Sequence, residues 1–488
     1  MADVQDEKET KEQQTSEVST RFRQFLSDTT AHGAAKLTTD SKIRRVVYLV
    51  AVLGCSCFLI FTLTQNIIAY YKYDSFFDVT VKQQETVAMP AITICAYNMI
   101  TYSRIEHFFP EVDLDQVVAS FVSTDFTSEE GNVTELLGMS QRVAYELLSP
   151  TINGTFLQCK VGRRIIDCSQ IITRRLTNRG YCFTVFSREY VHENGEQQSN
   201  VATKNGGISF VLDANPDDYF LATDYSAGFA LYLHHPDEFP QSGGDIIHAG
   251  VGQSVNIAFR KEIRKILSKP YSEKQCISEG DAEQDHELVA GYPYSYSACL
   301  RSCQLQAIEI LCGCPLENPD DVSSECTMAQ FMSCYIKNMS LSIEQNRCHS
   351  KCEENCEFIK YSPTITTSSY PNNYAVLLAS IHQYPAVLQA STYDWLPTHE
   401  EYFMRRRMME LNIYPIAIEH THVTQQPRYH PFDIFSNIGG LMGLCLGISL
   451  VTLVEFLEVA VACVLRLARK KSSTQVEAFV ASDDKNSH

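Results

Sequence analysis

The 488-residue chain is predicted to be a two-span membrane protein of the α+β class with a large disulfide-rich extracellular domain. Three observations support this fold class. Two long uncharged apolar runs lie near the two ends of the chain. Fourteen of the 18 cysteines lie between these runs. The same segment holds 27 basic and 45 acidic residues, so its net charge of -18 equals that of the whole chain.

The two apolar runs are long enough to cross a bilayer as helices. Residues 46–71 hold 26 positions without a charge, and residues 434–454 hold 21 more. A helix needs roughly 20 apolar residues to span the hydrocarbon core. We therefore expect a first transmembrane helix at 46–71 and a second one at 434–465.

Basic residues beside the two runs predict the orientation. Lys42, Arg44 and Arg45 precede the first run, and four basic residues follow the second, namely Arg466, Arg469, Lys470 and Lys471. Since positive charge is retained on the cytosolic side, we expect cytosolic segments at 1–45 and 466–488 in a multi-pass plasma-membrane protein. Residues 72–433 are then the extracellular domain.

The acidic charge of the extracellular domain bears on its partners. A surface with this excess of carboxylates attracts cations and repels polyanions, which argues against a nucleic-acid partner. The domain also carries the three N-x-[ST] sequons, at Asn132, Asn153 and Asn338, which we expect to be glycosylated.

The cysteine spacing predicts a stapled helical hairpin at about 295–360. Cysteines recur at intervals of four, so each set lies on one helix face. If the two helices are antiparallel, the nested pairs are Cys303–Cys348, Cys299–Cys352, Cys276–Cys356, Cys314–Cys326 and Cys312–Cys334. Cys159 and Cys168 are close enough for a local loop. A zinc site is the alternative for such spacings, but an oxidising exterior favours disulfides.

Alternating apolar residues predict the other elements of the domain. The period of two at 207–213, 228–234, 254–266 and 413–423 indicates strands. The stretches 373–391 and 399–411 have the pattern of helices.

Glycines and acids in the second span go beyond the needs of a membrane anchor. Gly439, Gly443 and Gly447 recur every four residues, a pattern typical of close helix packing. In an unbroken helix Glu458 would return to within roughly 20° of the Gly447 face, and Glu455 lies nearby. Ionisable groups within a span usually face a water-filled path. The alternative places both glutamates at the cytosolic interface.

The stretch Gly447-Ile448-Ser449 suggests a second arrangement. Glycine permits local unwinding, and exposed carbonyls are the usual oxygen ligands of a cation filter. A helix break here would reset the helical phase and weaken the alignment of glycines with glutamates.

With these residues the chain resembles the degenerin and epithelial sodium channel family, which includes acid-sensing and FMRFamide-gated peptide channels. The similarity covers about residues 30–465. The motifs that resemble the family are MPAITICAYN at 89–98, GYCFTVF at 180–186, GYPYSYSACLRSC at 291–303 and GGLMGLCLGIS at 439–449.

The resemblance implies an architecture and a set of site residues. The chain would form a trimeric ion channel of identical or related subunits in the bilayer, conduct sodium ions and be blocked by amiloride. The implied residues are Gly447, Ile448 and Ser449 as the selectivity filter, Ser436, Gly440, Gly443, Glu455 and Glu458 in the pore and gate, and His32 and Gly33 in a cytosolic re-entrant motif. The family pattern of seven disulfides implies Cys95–Cys182 as the remaining bond.

The opening stimulus is less strongly indicated. Acid-sensing members carry a histidine pair after the first span, and YYKYDSFF at 70–77 has none. We therefore favour an extracellular neuropeptide such as an FMRFamide-like peptide, with a proton-gated or constitutively open channel as alternatives. Exterior acids that could act as coupled carboxylates with raised pKa values are Asp217, Asp218, Asp237, Glu238, Asp320 and Asp321.

Other protein classes lack their characteristic residues. The chain has neither G-x-S-x-G nor H-E-x-x-H, so we expect no enzyme. An ATP-gated channel would need clustered basic residues. His420 and His422 alternate on a predicted strand without a third ligand, so we expect no metal site and no cofactor. A two-span cell-surface receptor without a pore is the alternative from another class.

Overall fold

The computed structural model describes ten parts of the chain, at 41–113, 115, 131–240, 246–278, 292–317, 321–336, 348–372, 397–449, 451–458 and 461. The chain divides into two compact units. Unit 1 comprises Met1–Phe76 and Pro427–His488, and unit 2 comprises Phe77–Gln426.

The helices are numbered in chain order. They are α1 Lys42–Tyr71, α2 Tyr102–Phe108, α3 Gly131–Gly138, α4 Gln141–Leu148, α5 Ile152–Thr155, α6 Arg188–Asn194, α7 Tyr296–Cys312, α8 Met328–Phe331, α9 Pro397–Arg407, α10 Pro431–Leu446 and α11 Val451–Glu458.

The strands are numbered in the same way. They are β1 Ser75–Gln83, β2 Val87–Ala88, β3 Ala91–Ala96, β4 Asn98–Thr101, β5 Phe156–Val161, β6 Arg164–Ile166, β7 Ile172–Thr177, β8 Gly180–Val185, β9 Gln198–Ser199, β10 Ile208–Asp213, β11 Tyr219–Ala222, β12 Gly228–His234, β13 Ile247–Gly250, β14 Gln253–Lys265, β15 Cys276–Ile277, β16 Glu354–Asn355, β17 Glu357–Ser369 and β18 Met408–Pro427.

Unit 1 contains the apolar helices. Within the described ranges, α1 is the one continuous helix that is long and apolar enough to cross a membrane, and it begins one turn before the predicted span. The pair α10 and α11 passes the same test only when taken together, and the two helices are bent by 79° at the break between them. Helix α1 packs against α10. The second predicted span is therefore two helical segments rather than one helix.

A seven-stranded sheet forms one half of the core of unit 2. Its order is β17-β14-β18-β10-β5-β6, and β1 pairs with β18. Strands β14 and β18 are parallel, and the neighbouring pairs β14–β17 and β18–β10 are antiparallel. The predicted strands at 207–213, 228–234 and 254–266 are all present, each within one residue of its predicted bounds.

A five-stranded sheet packs on this first sheet. Its order is β13-β12-β3-β8-β7, and the two sheets share one hydrophobic cluster. The Phe156 ring lies 5.1 Å from that of Phe183 in the five-stranded sheet and 5.6 Å from that of Phe210 in its own sheet, both edge to face. Phe156 is thus a buried aromatic contact that joins the sheets.

Seven disulfides staple unit 2. They are Cys95–Cys182, Cys159–Cys168, Cys276–Cys356, Cys299–Cys352, Cys303–Cys348, Cys312–Cys334 and Cys314–Cys326. These are the seven pairs expected above. The unit is therefore the disulfide-rich mixed α/β domain that the fold class requires.

Helix α7 carries one side of the disulfide ladder. Ser295 caps its N-terminus by accepting a hydrogen bond from the Ala298 N–H at 3.2 Å. Gly313 ends it in the left-handed region at φ 75°. The described residues show one helical turn, at 348–351, on the opposite side of the predicted hairpin. The hairpin is therefore described only in part.

One predicted helix is wrong over its last four residues. Helix α9 ends at Arg407, whereas the helix predicted at 399–411 continued to Leu411. From Met408 the chain is strand β18, and Met409 pairs with Leu212 of β10. Met408, Met409 and Leu411 are fully buried in the sheet core, so tertiary pairing overrides their helix propensity. The helix predicted at 373–391 lies outside the described residues.

The aromatic core predicts a large stability effect. Phe229 of β12 is fully buried, whereas Tyr225, four residues earlier, is fully exposed. We expect Phe229→Ala to destabilise unit 2 by about 3–5 kcal/mol because it removes apolar contacts and leaves a cavity. Tyr225→Ala is the matched control and should change stability by less than about 0.5 kcal/mol. Thermal unfolding of the purified full chain, together with hydrogen exchange of the buried amides, measures the stability of both variants. Equal effects of the two variants would contradict this description of the core.

Candidate functional site

The candidate site is the segment from Pro431 to Glu458 in unit 1, here called the α10–α11 segment. Helix α10 starts with Pro431 at its first position, where no amide donor is needed. A capping box closes this end, in which the His430 N–H donates to Asp433 Oδ2 at 2.9 Å. The helix thus begins three residues before the predicted Ile434.

One face of α10 is open in the single chain. Ser436, Gly440 and Gly443 are exposed. A Cβ atom added at Gly439, Gly440 or Gly443 would meet no atom within 4 Å. Within the described part of the chain these glycines therefore serve no close contact, and their role in packing against another subunit stays a prediction.

The helix ends at the predicted filter. Gly447 adopts φ 61° and ψ 23°, a left-handed conformation that favours glycine. The N–H groups of Gly447 and Ile448 donate to the carbonyls of Gly443 and Met442, at 3.0 and 3.3 Å. The chain is non-helical from Gly447 to Ser449. Local unwinding at this glycine is therefore a feature of the folded backbone.

Ser449 starts the next helix. Its hydroxyl oxygen accepts a hydrogen bond from the Thr452 N–H at 3.3 Å, and the Ser449 N–H donates to Thr452 Oγ1 at 3.2 Å. This reciprocal arrangement satisfies amide donors that a helix N-terminus leaves free. Thr452 is fully buried. Sequence analysis overlooked Thr452, although the spacing of Ser449 and Thr452 is that of an N-terminal cap.

The two glutamates follow the break. Glu455 is half-buried and Glu458 is exposed, both on α11. Because the two helices are bent by 79°, the continuous helix that would align Glu458 with Gly447 does not exist, and that alignment is wrong. The structure places the acids on a separate helix after the predicted filter. His32 and Gly33 lie outside the described residues.

The exterior acids do not form one carboxylate cluster. Asp217 pairs with Arg406 at 3.2 Å, and Asp237 pairs with Arg188 at 2.9 Å. Asp218 accepts from the amide and hydroxyl of Ser103 at 2.7 Å each. Among the remaining acids, Asp321 caps a short 3₁₀ helix, and Asp320 lies outside the described residues. Each of these described carboxylates has its own local hydrogen-bonding role.

Glu238 is the acid whose surroundings differ. Its side chain lies in the turn after β12, where one carboxylate oxygen accepts from the His235 N–H at 3.3 Å. Burial raises the pKa of Glu238 to about 7, and the hydrogen bond from His235 opposes this in part. The cause of this raised pKa is thus desolvation and not a neighbouring carboxylate. Next to it, burial lowers the pKa of His234 to about 4, so His234 stays neutral where Glu238 titrates.

His420 and His422 of β18 were the residues considered as metal ligands. No group of three or more His, Cys, Asp or Glu side chains within the described ranges has the geometry to hold a metal ion. His420 and His422 lie opposite Lys261 and Ile263 in the register of β14 with β18. Of the sequons, Asn153 is exposed on α5 and Asn338 lies outside the described residues. Asn132 belongs to α3.

The chain is similar to known ion channels over most of its length. A profile described as amiloride-sensitive sodium channel matches residues 25–459. The chain is 23% identical to the bile acid-sensitive ion channel of Homo sapiens, covering 89% of this chain and 84% of that protein. It is 22% identical to acid-sensing ion channel 1A of Danio rerio, covering 95% and 94%. It is 21% identical to epithelial sodium channel subunit beta of Mus musculus, covering 90% and 81%.

The raised pKa of Glu238 predicts a pH-dependent stability. Between about pH 4.5 and 7 the folded protein holds a proton that the unfolded chain has lost, so the stability contributed by this group falls as pH rises through this window. Glu238→Gln should remove that part of the pH profile. Hydrogen bonds from Ser226 lower the pKa of Asp224, so Asp224→Asn is a matched control that should leave the profile between pH 5 and 7 unchanged. Unfolding midpoints measured across this range test the prediction, and an unaltered slope in Glu238→Gln would contradict it.

Proposed function

The chain belongs to the amiloride-sensitive sodium channel family, whose members are ion channels and not enzymes, and we propose that it is itself an amiloride-sensitive, sodium-selective channel opened by an extracellular peptide. The observation that supports conduction is the break in the apolar α10–α11 segment at Gly447, with Ile448 and Ser449 in non-helical conformation. Backbone carbonyls released from helical hydrogen bonding are available as cation ligands. A simple membrane anchor has no use for such a break.

The proposed pore needs more than one chain. A single bent segment encloses no path, whereas three copies around an axis would bring three sets of Gly447–Ser449 carbonyls together. The open face at Ser436, Gly440 and Gly443 supports this assembly, because these small residues permit close approach of neighbouring helices. Glu455 and Glu458 would lie on the cytosolic side of the ring and attract cations. His32 and Gly33 would lie in the inner pore.

The proposed topology follows from the charges that flank the spans. Both termini would be cytosolic, and unit 2 would face the exterior with its disulfides and with glycans at Asn132, Asn153 and Asn338. The excess of carboxylates in 72–433 supports the role, since it raises the local concentration of sodium ions near the proposed pore.

Peptide gating rests on the absence of the histidine pair in residues 70–77. Protons are a second candidate stimulus, favoured by Glu238, because a carboxyl with a pKa of about 7 changes its charge in mild acid. The names of the relatives add bile acids as a third class of ligand to be included in the experiment.

Voltage clamp of cells that express the full chain tests the function. Amidated peptides, acid and bile acids are applied in separate trials. We expect at least one of them to open an inward sodium current that amiloride blocks. If protons open the channel, Glu238→Gln should move the half-activating pH, and Asp224→Asn should not. A variant with a bulky residue in place of Ser436 is tested without any stimulus, because Ser436 lies at the proposed gate. Surface-expressed protein that carries no current in any of these trials would overturn the channel proposal.

The filter proposal predicts a specific effect of Gly447→Ala. An L-residue in the left-handed conformation costs about 1–2 kcal/mol, which corresponds to about a five- to thirtyfold shift in the population of the native backbone. We expect reduced current and a lower sodium-to-potassium permeability ratio. Gly54→Ala in α1 is the matched control, because its Cβ would meet no atom within 4 Å. Unchanged selectivity in surface-expressed Gly447→Ala would contradict the assignment of the filter.

A further inference from the structure

Lys261 has a largely buried side chain on the seven-stranded sheet of unit 2. The residue is 7% exposed, and in the strand register it lies between Tyr361 of β17 and His420 of β18. Within the described ranges no carboxylate lies within ion-pair distance of its amine. Lysine is almost never buried without a paired charge. Its side chain is therefore a cation without a direct counterion.

His420 supplies a second unsatisfied group beside it. The Nε2 atom of His420 is buried and has no hydrogen-bond partner in the described structure. Burial, Lys261 and His422 all lower the pKa of His420, in that order of size. The imidazole is therefore neutral at pH 7, and a ring with its proton on Nε2 has one donor to offer. A buried polar atom without a partner costs free energy unless something binds it.

We propose that Lys261 and His420 form a binding site for a small monovalent anion such as chloride. An anion between the Lys261 ammonium and the His420 Nε2–H would pair with the cation and accept the unused hydrogen bond. Two donors match a monatomic anion, whereas phosphate and sulfate each have four oxygens to satisfy. This proposal concerns unit 2 and does not depend on conduction.

The other charged and titratable groups near the site agree with this charge balance. His422 on β18 and His235 after β12 are imidazoles, and the phenol of Tyr361 is neutral because burial raises its pKa. Burial lowers the pKa of Lys261, and the charge of Glu196 opposes this in part. Glu196 is exposed, and its carboxylate lies beyond ion-pair distance of the Lys261 amine. Glu196 is thus no direct counterion of the Lys261 ammonium.

Protonation of His420 would strengthen the site. A second positive charge facing Lys261 is unfavourable in the empty site, but a bound anion offsets this repulsion. Binding therefore favours the protonated imidazole, and by linkage acid favours binding. Chloride affinity should rise as pH falls from 8 to 5.5.

Chloride titration of the full-length protein tests the site. The purified chain is held at constant sodium and ionic strength while chloride replaces methanesulfonate, a larger monovalent anion, and the unfolding midpoint is measured. A parallel series with acetate distinguishes a halide site from one that also accepts carboxylates. In the wild-type protein we expect a saturable rise of the midpoint with chloride and a tighter half-saturation at pH 5.5 than at pH 8.

Two variants and one control identify the residues. Lys261→Met keeps the length of the side chain and removes its charge, and it should weaken chloride binding by about tenfold or more, the effect of losing one charge-assisted hydrogen bond. Lys265→Met is the matched control on the same face of β14, because Lys265 is exposed and pairs with Glu357 at 2.7 Å. His420→Gln should remove the pH dependence of the chloride effect.

Each outcome decides the proposal. Chloride dependence that is lost in Lys261→Met and retained in Lys265→Met supports it. A wild-type midpoint that does not respond to chloride, or the same response in Lys261→Met, overturns it. If Lys261→Met does not fold, His420→Gln decides: a chloride response with unaltered affinity and pH dependence in that variant also overturns the proposal.

Discussion

The pairing of β18 with β14 and β10 is the constraint on which the rest of unit 2 depends. This 20-residue strand lies in the interior of the seven-stranded sheet, parallel to β14 and antiparallel to β10. Its first residues, including Met409 and Leu411, are fully buried in the core between the two sheets. Interior strands satisfy backbone groups on both edges, so the strand can be shifted only by breaking two ladders at once.

Buried polar contacts fix the register of this strand. The Asn412 carboxamide accepts a hydrogen bond from the Ser209 hydroxyl at 2.7 Å and donates to Asn256 at 3.2 Å, which links β10, β18 and β14. Arg407, just before the strand, forms a bidentate pair with Asp213 at the end of β10. A slip by one residue would leave these groups unsatisfied and turn the apolar face away from the core. The same register brings Lys261 beside His420, so the proposed anion site is a consequence of the strand pairing.

In unit 1 the corresponding constraint is the conformation of Gly447. The left-handed residue ends α10, and the reciprocal cap between Ser449 and Thr452 starts α11. These two local features define a short non-helical stretch at the proposed filter. Most residues of α1 and α10 are exposed in the single chain, as the proposed assembly in the membrane requires. The pore proposed here is therefore a property of the assembly, while the break is a property of the chain.

The sequence by itself determined the apolar runs, the acidic exterior, the spacing of the cysteines and the glycine at the break, because each of these is local or depends on composition alone. It could not show that Met408–Leu411 would leave the helical pattern for β18, since the pairing partner at Leu212 is almost 200 residues away in the chain. In the sequence, Glu238 is one of six similar exterior acids. Burial by distant segments raises its pKa, and such burial has no signature in the local sequence. Only the tertiary structure decided which lysine is buried and which imidazole lies opposite it, because strand register is set by packing over the whole domain.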